Sequence, residues 1–439
     1  MSVAPVDTTD TIKNYDDNDL GLAECYDLND DKDIFQQSSL FQAMKPLLWS
    51  LKLCGLYHER QWRVKNGKGD LEEIGKVTPS RIWSIVSMIV QWLNFGKIML
   101  AFLRDNEFGS GLMIKVMVMM WHLNCGISCI VMYRCWAKPE NLPGLIYKWE
   151  KLCKQDTEDT LQKFKRLVKI GLFFSWGLTI MNFVFFVYFL FNNDIFHVVM
   201  VPFEKDVQGL LIVKIVFVVV SGTLVNMSCT FPSLTHIAVT WLLNEEFKKF
   251  NKQFKDSISE CHGLEGSIES HRKRHMDICQ LTGFADEAFK CYHASAIGIP
   301  ITVTLIIIYN IMNLDRIRTD SFLTMTMVFW LLMNLFIMIE ALLMCAIVNS
   351  TAHDSYDDVH SLDLQYMDQK EVLQVSIFLN KLSGHPDQIG LKVACLFIID
   401  GPTILTVFGL LLSYFFLLIS FKPASPESVL ADCNCTISI

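Results

Sequence analysis

The sequence predicts an all-α membrane protein with seven transmembrane helices and an inverted topology. Three observations support this prediction. The 439-residue chain is 51% hydrophobic and only 19% charged, whereas soluble proteins average about 25% charged residues. Seven apolar stretches reach the ~20 residues that a helix needs to cross a bilayer. Lys and Arg residues are concentrated in alternate connecting segments, as the two sides of a membrane require.

The chain begins with an acidic, polar segment. Residues 1–34 carry ten acidic and two basic residues, so they account for the whole formal charge of −8. Such a segment cannot bury enough apolar surface to fold by itself, and we interpret it as a disordered cytoplasmic tail. It also lacks the basic and apolar regions of a signal peptide. Residues 35–81 follow as a linker in which the apolar stretch 40–56 predicts an interfacial or buried helix.

The predicted spans carry few charged residues. They cover residues 82–103, 111–135, 170–191, 209–242, 292–313, 322–348 and 390–421. Glu340 lies within the sixth span and Asp400 within the seventh. The predicted membrane domain, 82–421, also includes cytoplasmic helices in segments 243–291 and 349–389. These two segments contain apolar stripes at helical spacing, in residues 247–254 and 373–378, which we expect to pack on each other or on another subunit.

The basic residues predict the orientation of the chain. One set of segments holds five Lys and Arg residues and the other holds 23. The basic-poor segments are 104–110, 193–208, 315–321 and 422–439. The basic-rich segments are 45–81, 137–168 and 243–291. Since the basic side is normally cytoplasmic, we predict a cytoplasmic N-terminus and an extracellular tail at 422–439. Asn434 in that tail begins an N-x-[ST] triplet and is a candidate glycosylation site.

Gly401 and Pro402 interrupt the seventh span. A proline removes a backbone hydrogen bond and clashes with the preceding turn, so we expect a break between segment 390–400 and a helix at 403–421. Asp400 lies at the junction. We interpret its carboxylate as the cap of the following helix, with direct contact to an ion as the alternative.

One face of this last helix mixes hydroxyl groups with leucines. It is formed by Thr406, Leu410, Ser413, Leu417 and Ser420, which recur at spacings of four and three. Such a face suits a pore whose wet stretches alternate with a hydrophobic gate. Small hydroxyl residues are equally favoured at contacts between membrane helices, so the pattern alone leaves both interpretations open.

The same region resembles the invertebrate gustatory-receptor family, which belongs to the insect chemoreceptor superfamily of seven-span ligand-gated channels. Residues 394–400 resemble the A-C-G-x-F-x-[LI]-D segment of that family's seventh span. The family's G-x-x-x-T-Y-x5-Q-F pattern is similar to the residues Gly409, Ser413, Tyr414, Ser420 and Phe421. Serine replaces the family's Thr at one position and its Gln at another, which suggests a divergent branch.

The resemblance implies a tetrameric cation channel of the plasma membrane, made of identical or related subunits in the lipid bilayer and without a cofactor. Its seventh helices would line a central pore for permeating cations, which favours the pore interpretation of the hydroxyl face. Phe421 is the candidate gate. Lys422 follows it and is expected to point toward lipid headgroups. A small-molecule ligand would bind within each subunit and open the pore.

Polar and aromatic side chains at membrane depth near the outer side are the candidates for ligand contact. They are Trp121, His122, Tyr188, Tyr309, Asn310, Trp330 and Asn334. A ligand pocket usually combines apolar walls with a few polar groups. Each of these residues is also an ordinary packing or membrane-interface residue.

Three functions remain open at this stage. The leading hypothesis is a chemosensory channel opened by a small molecule. The alternatives are a light- or reactive-oxygen-sensing member of the same family, and a receptor or regulatory membrane protein without a pore. The sequence contains no nucleophile elbow, Walker loop or zincin motif, and its cysteines show no metal-ligand spacing. We therefore predict neither an enzyme nor a metal site, and no nucleic-acid partner.

Overall fold

The computed structural model describes residues 38–65, 70–75, 77–103, 110–152, 157–192, 211–258, 264, 266–313, 320–384 and 388–420. The acidic tail, Phe421, Lys422 and the glycosylation candidate Asn434 lie outside these residues.

Long antiparallel helices form the body of the protein. They are α2 (Pro79–Met99), α3 (Ser110–Ala137), α5 (Thr157–Asn192), α6 (Leu211–Asp256), α7 (Ile268–Asn313), α8 (Ser321–His353) and α11 (Gly401–Ser420). By length and apolar composition, six stretches of the described residues are able to cross a membrane. The predicted fourth span falls within α6. We call the end of the bundle where α2, α5, α7 and α11 begin the inner end, and this is the end that the basic residues predict to be cytoplasmic.

The longest helices pack around α7. This helix contacts α3 along one side and α8 along another, while α6 packs against both α5 and α8. One hydrophobic cluster runs through most of the bundle, from residues of the N-terminal linker to α11. A second, smaller cluster joins α3, α7 and α8 toward the opposite end. The bundle is therefore stabilised by contacts between helices that are far apart in the sequence.

The N-terminal linker folds onto the inner end. Helix α1 (Ser39–Leu53) buries one apolar face, including Leu40, Leu47 and Leu51. Glu150 holds the start of α1, because its carboxylate accepts hydrogen bonds from the hydroxyls of Ser38 and Ser39 at 2.9 and 2.8 Å. A hairpin of β1 (Gln61–Lys65) and β2 (Asp70–Ile74) follows. Neither this hairpin nor helix α4 (Leu142–Leu152), which carries Glu150, was predicted from the sequence.

At the inner end, α6 and α7 continue well beyond a bilayer's thickness. Each has 46 residues, which corresponds to about 69 Å at 1.5 Å per residue. The phenylalanine stripe of α6, at Phe247, Phe250 and Phe254, is completely buried. Helix α7 begins at Ile268, so it includes His275, which is buried against that stripe.

After the short helix α9 (Tyr356–His360), helix α10 (Gln369–Leu382) covers the same stripe, but with only one of its predicted residues. Phe378 is buried, with its ring centroid 6.4 and 6.1 Å from those of Phe250 and Phe254. Leu373 and Ile377 are 60% and 50% exposed. Phe378 therefore packs within the subunit, whereas the alternative of a contact with another subunit stays a prediction for Leu373 and Ile377. A helix presents residues four apart on one side, so this pair forms a separate apolar edge beside the buried phenylalanine.

The expected inner part of the seventh span is a β-hairpin rather than a helix. Strands β3 (Lys392–Val393) and β4 (Phe397–Ile398) pair antiparallel, and α11 begins at Gly401. The break predicted at Gly401 and Pro402 is present, but the preceding segment is extended. Its β-branched residues favour extended backbone.

Candidate functional site

The start of α11 is fixed by a side-chain cap. Asp400 accepts hydrogen bonds at Oδ1 from the backbone N–H and the hydroxyl of Thr403, at 2.9 and 2.7 Å. A carboxylate in this position satisfies one of the unpaired N–H groups at a helix start and interacts favourably with the helix dipole. The carboxylate is thereby engaged with the chain itself at the foot of the helix.

Most of α11 is exposed in a single subunit. Its one buried residue is Val407, which packs with Ile404 and Leu411 against the main cluster. The five residues of the predicted pore face are all exposed. Tyr414 is 49% exposed, and no atom lies within 4 Å of where a side chain on Gly409 would begin. An apolar helix of span length with only one buried residue needs lipid or further subunits around it.

The hydroxyl groups of the predicted pore face are satisfied within the helix. Thr406, Ser413 and Ser420 each donate to the carbonyl four residues earlier, at 3.0, 2.8 and 2.8 Å. The hydroxyl oxygens retain acceptor lone pairs on the exposed side. The face therefore offers a row of weak acceptors to whatever lies beside it, without leaving an unpaired donor.

The hairpin before α11 ties the helix to the bundle. The backbone N–H of Ala394 donates to the carbonyl of Lys290 at 3.0 Å. The N–H of Lys392 donates to Asp286 Oδ1 at 2.6 Å, and the Lys392 carbonyl accepts from His293 Nδ1 at 2.9 Å. All these partners lie on α7. Movement of the inner half of α7 would therefore be transmitted directly to the foot of α11.

The structure brings three of the predicted ligand residues together. Trp330 Nε1 donates to Asn182 Oδ1 at 2.8 Å, and the Asn334 amide donates to the Trp330 carbonyl at 2.8 Å. Tyr188 lies at the end of the same α5–α8 contact, with its ring centroid 3.9 Å from that of Phe322. Sequence analysis missed Asn182 and its partner Asn226, which accepts from the Asn182 amide at 2.7 Å.

The other four candidates lie apart from this group. Trp121 packs against the main cluster. His122 bonds at Nδ1 with the carbonyl of Val118 on its own helix, at 2.8 Å. Tyr309 is half-buried. Asn310 is completely buried, and neither of its side-chain polar atoms has a hydrogen-bond partner among the described residues.

An apolar cavity of about 580 Å³ lies between α5, α6 and α8. Its walls include Gly171 and Leu178 from α5, Leu234 from α6, and Phe329 and Met333 from α8. None of the seven predicted ligand residues lines it, although two of its lining residues directly flank Trp330 and Asn334 in the sequence. Its volume falls within the range of small-molecule sites, which is roughly 300–1,000 Å³.

Three hydroxyl residues, Ser175, Thr230 and Ser233, give this cavity its polar spots. Ser233 is the most connected of them. Its Oγ lies 2.8 Å from the Tyr292 hydroxyl and 3.3 Å from Glu340 Oε2. The cavity wall is therefore in hydrogen-bond contact with the charged residue that the sequence places inside the sixth span.

Comparison with known proteins gives one family and one fold. A family model described as a 7tm chemosensory receptor matches residues 44–425. The solved structure of the insect olfactory receptor OR5 from Machilis hrabei superposes with a TM-score of 0.69 at 12% identity, covering 88% of this chain and 100% of that one. The same receptor in complex with eugenol gives 0.67 at 10% identity, with the same coverage. No curated protein sequence matches the chain.

Proposed function

Because the chain belongs to the 7tm chemosensory receptor family, we propose that it is a ligand-gated cation channel made of four identical or related subunits. Family membership confirms the resemblance seen in the seventh span at the level of a chemosensory receptor. It also agrees with a multi-pass membrane protein that is a receptor and not an enzyme. The gustatory role, the stimulus and the tetramer belong to the proposal.

The observation that supports the channel best is the exposure of α11. This helix has the length and composition of a membrane span, yet it buries only Val407 in a single subunit. If four α11 helices, one from each subunit, meet on the predicted pore face, that face is removed from lipid and Thr406, Ser413 and Ser420 lie along an aqueous path. We assign Phe421 to the outer gate, beyond the described residues.

The cavity between α5, α6 and α8 is our candidate ligand site. Its apolar walls and few hydroxyl groups suit a small, mainly apolar organic molecule. Through Ser233 it contacts Glu340 on α8 and Tyr292 on α7, the helix to which the hairpin before α11 is hydrogen-bonded. A ligand that fits the cavity better in the open state would shift the closed–open equilibrium toward opening.

The exposed edge of α10 suits the subunit contact at the inner end. Leu373 and Ile377 stand out from the helix while Phe378 holds it to α6. A cytoplasmic anchor around the pore axis would bury this edge.

The inverted orientation is tested by adding an epitope after Ile439 and staining intact cells, with Asn434→Gln to detect a glycan. Staining only after permeabilisation, in protein that reaches the surface, would contradict it.

The channel itself is tested by recording currents from cells that express the full chain, and from the purified chain in lipid bilayers. The stimuli are a panel of small apolar molecules, light, and hydrogen peroxide with and without a scavenger. Cation currents evoked by a compound would support the proposal. A response restricted to light or peroxide would support the channel and contradict the small-molecule ligand as its stimulus. Surface-expressed chain that gives no current under any stimulus would favour a receptor without a pore.

A further inference from the structure

Three metal-binding side chains converge in the core of the bundle. His236 comes from α6, His293 from α7 and Cys345 from α8, and all three are completely buried. The Nε2 atoms of His236 and His293 lie 3.1 Å apart. The Sγ atom of Cys345 lies 3.6 Å from His236 Nε2 and 3.4 Å from His293 Nε2. Sequence spacing could not reveal this group, because each residue belongs to a different span.

These separations match those around a tetrahedral zinc ion. Zinc lies ~2.0–2.1 Å from imidazole nitrogen and ~2.3 Å from thiolate sulfur, which places two nitrogens about 3.3 Å apart and each nitrogen about 3.6 Å from the sulfur. The observed triangle is within about 0.2 Å of these dimensions, so the three side chains supply three of the four ligand positions of a tetrahedral ion.

The second nitrogen of each imidazole is already occupied. His293 Nδ1 lies 2.9 Å from the Lys392 carbonyl, which can only accept, so this nitrogen carries the proton. His236 Nδ1 lies 2.5 Å from Glu340 Oε1. Carboxylate and carbonyl groups in these positions are the usual outer partners of metal-bound histidines.

This arrangement leaves one of the imidazole nitrogens without a donor. If Glu340 is ionised, both Nε2 atoms present lone pairs to each other, and the Cys345 thiol can donate to only one of them. Glu340 Oε2 lies 3.3 Å from the hydroxyls of both Ser233 and Tyr292, but these hydroxyls also bond to each other at 2.8 Å, so one of them donates to the carboxylate. A cation bound to the two nitrogens and the sulfur satisfies all three groups.

The charges also balance. Binding of Zn²⁺ to Cys345 releases the thiol proton to solvent, so the ion meets one thiolate and one adjacent carboxylate. Two positive and two negative charges then lie together in a core that excludes water, where an unbalanced charge is costly.

We propose that His236, His293 and Cys345 bind one Zn²⁺ ion per subunit, with Glu340 and the Lys392 carbonyl orienting the two imidazoles. The ion would join α6, α7 and α8, and through Lys392 it would reach the hairpin at the foot of α11. The binding does not depend on channel activity. Its effect on gating does rest on the proposed function, and would be a restraint on movement of that foot.

The first test measures metal in the full chain, purified in detergent from cells grown with added zinc. We expect about one zinc per chain by mass spectrometry after removal of loosely bound metal. Protein from cobalt-grown cells should show the intense visible bands of tetrahedral Co²⁺ and a near-ultraviolet sulfur-to-cobalt band. These readouts use the unaltered chain, so they do not depend on whether a variant folds.

Variants then assign the ligands. Cys345→Ser and His293→Ala should reduce bound zinc at least tenfold, and Glu340→Gln should weaken zinc binding by ~10–100-fold. The matched control is Cys279→Ser, because Cys279 also lies beside a histidine, 3.6 Å from His275 Nδ1, but that pair is not part of a three-ligand group among the described residues.

Absence of metal from the unaltered chain grown in added zinc would overturn the proposal. So would zinc that stays bound in Cys345→Ser and His293→Ala. In the first case the group is instead a hydrogen-bonded chain, in which a protonated Glu340 donates to His236 and His236 donates to His293. Either result is obtained without current recordings, so it is distinguishable from a failure of the channel proposal.

Discussion

Trp330 on α8 donates a hydrogen bond to Asn182 on α5, across 2.8 Å at membrane depth. Asn182 in turn donates to Asn226 on α6, so one short network joins the three helices that enclose the cavity. Lipid offers no replacement for a lost polar partner. The network therefore fixes the spacing of the helices beside the candidate ligand site.

Replacing Trp330 with Phe should remove this contact while keeping an aromatic ring. Interhelical hydrogen bonds in membranes contribute roughly 0.5–2 kcal/mol, so we expect a lower thermal unfolding midpoint and an altered ligand response. The matched control is Trp92→Phe, because the Trp92 indole N–H is buried without a partner among the described residues. Equal losses in the two variants would show that ring size, and not the hydrogen bond, decides the stability.

Residues of α10 should separate folding from assembly. Phe378→Ala removes a buried ring that packs on two other phenylalanines, and such changes typically lower stability by about 3–5 kcal/mol. Leu373→Ser and Ile377→Ser, combined in a double variant, change exposed side chains. The subunit should therefore keep its unfolding midpoint, while the oligomer should dissociate at a higher protein concentration. Size-exclusion chromatography with light scattering measures the oligomer. An unchanged oligomer in the double variant would exclude this edge from the subunit contact.

The proposed pore face predicts a pattern of cysteine reactivity. Cysteine at Thr406, Ser413 or Ser420 should react with a charged, membrane-impermeant thiol reagent and reduce the current, because these positions are exposed on one face of α11. Cysteine at the buried Val407 is the control and should not react. The background for these variants is a chain in which exposed Cys291 and Cys395 are replaced. Reaction at Val407 but not at Ser413 would place the pore on another face.

Filling the cavity should reduce the ligand response. A side chain on Gly171 would begin 2.2 Å from the Leu234 Cδ1 atom, and both residues line the cavity. We expect Gly171→Leu to lower the current at a fixed ligand concentration at least tenfold. Gly177→Leu adds the same side chain to the same helix where no atom lies within 4 Å, so it should respond normally. Equal responses in the two variants would move the ligand site away from this cavity.

His58 should make stability fall in acid. Its ring is buried on Tyr133, and its Nε2 accepts a hydrogen bond from Arg60 at 2.8 Å. Burial lowers the pKa of His58 to about 4, with smaller contributions from the positive charges of Arg60 and Arg81. The unfolded chain, with a histidine pKa near 6.5, therefore binds more protons than the folded chain between these values.

The unfolding free energy should consequently be unaffected by His58 above pH 6.5 and decrease as the pH falls from about 6.5 to about 4. We expect a loss of about 2 kcal/mol after allowing for solvent screening. Thermal unfolding at a series of pH values measures the slope, which His58→Gln should reduce and the exposed His360→Gln should leave intact. An unchanged slope in His58→Gln would assign the acid sensitivity to other groups.

The membrane part of the fold was predictable because lipid imposes a length and a composition that the sequence displays. Residues 170–191 contain no charge and lie entirely within α5. Helix ends outside the membrane are set by tertiary contacts. Helix α7 continues back to Ile268 partly because His275 reaches the carbonyl of Ala352 on α8, at 3.1 Å, and no local pattern announces such a contact.

The candidate sites also differ in how far the sequence alone could predict them. The hydroxyl face of α11 is a periodic feature of one helix, so it could be read directly. The cavity and the His236–His293–Cys345 group each need three helices to form, and within that group His236 and Cys345 lie 109 positions apart. The sequence held one signal for that group, the charge of Glu340 within an apolar span.

The hairpin before α11 holds two non-glycine residues, Ala394 and Cys395, at φ values of 46° and 65°. Left-handed backbone is disfavoured by roughly 1–2 kcal/mol per residue for side chains with a Cβ. Hydrogen bonds to α7 hold the loop in that shape. The shape of this loop and its hydrogen bonds to α7 are therefore coupled: loss of those bonds would also let the two residues return to more favourable backbone angles.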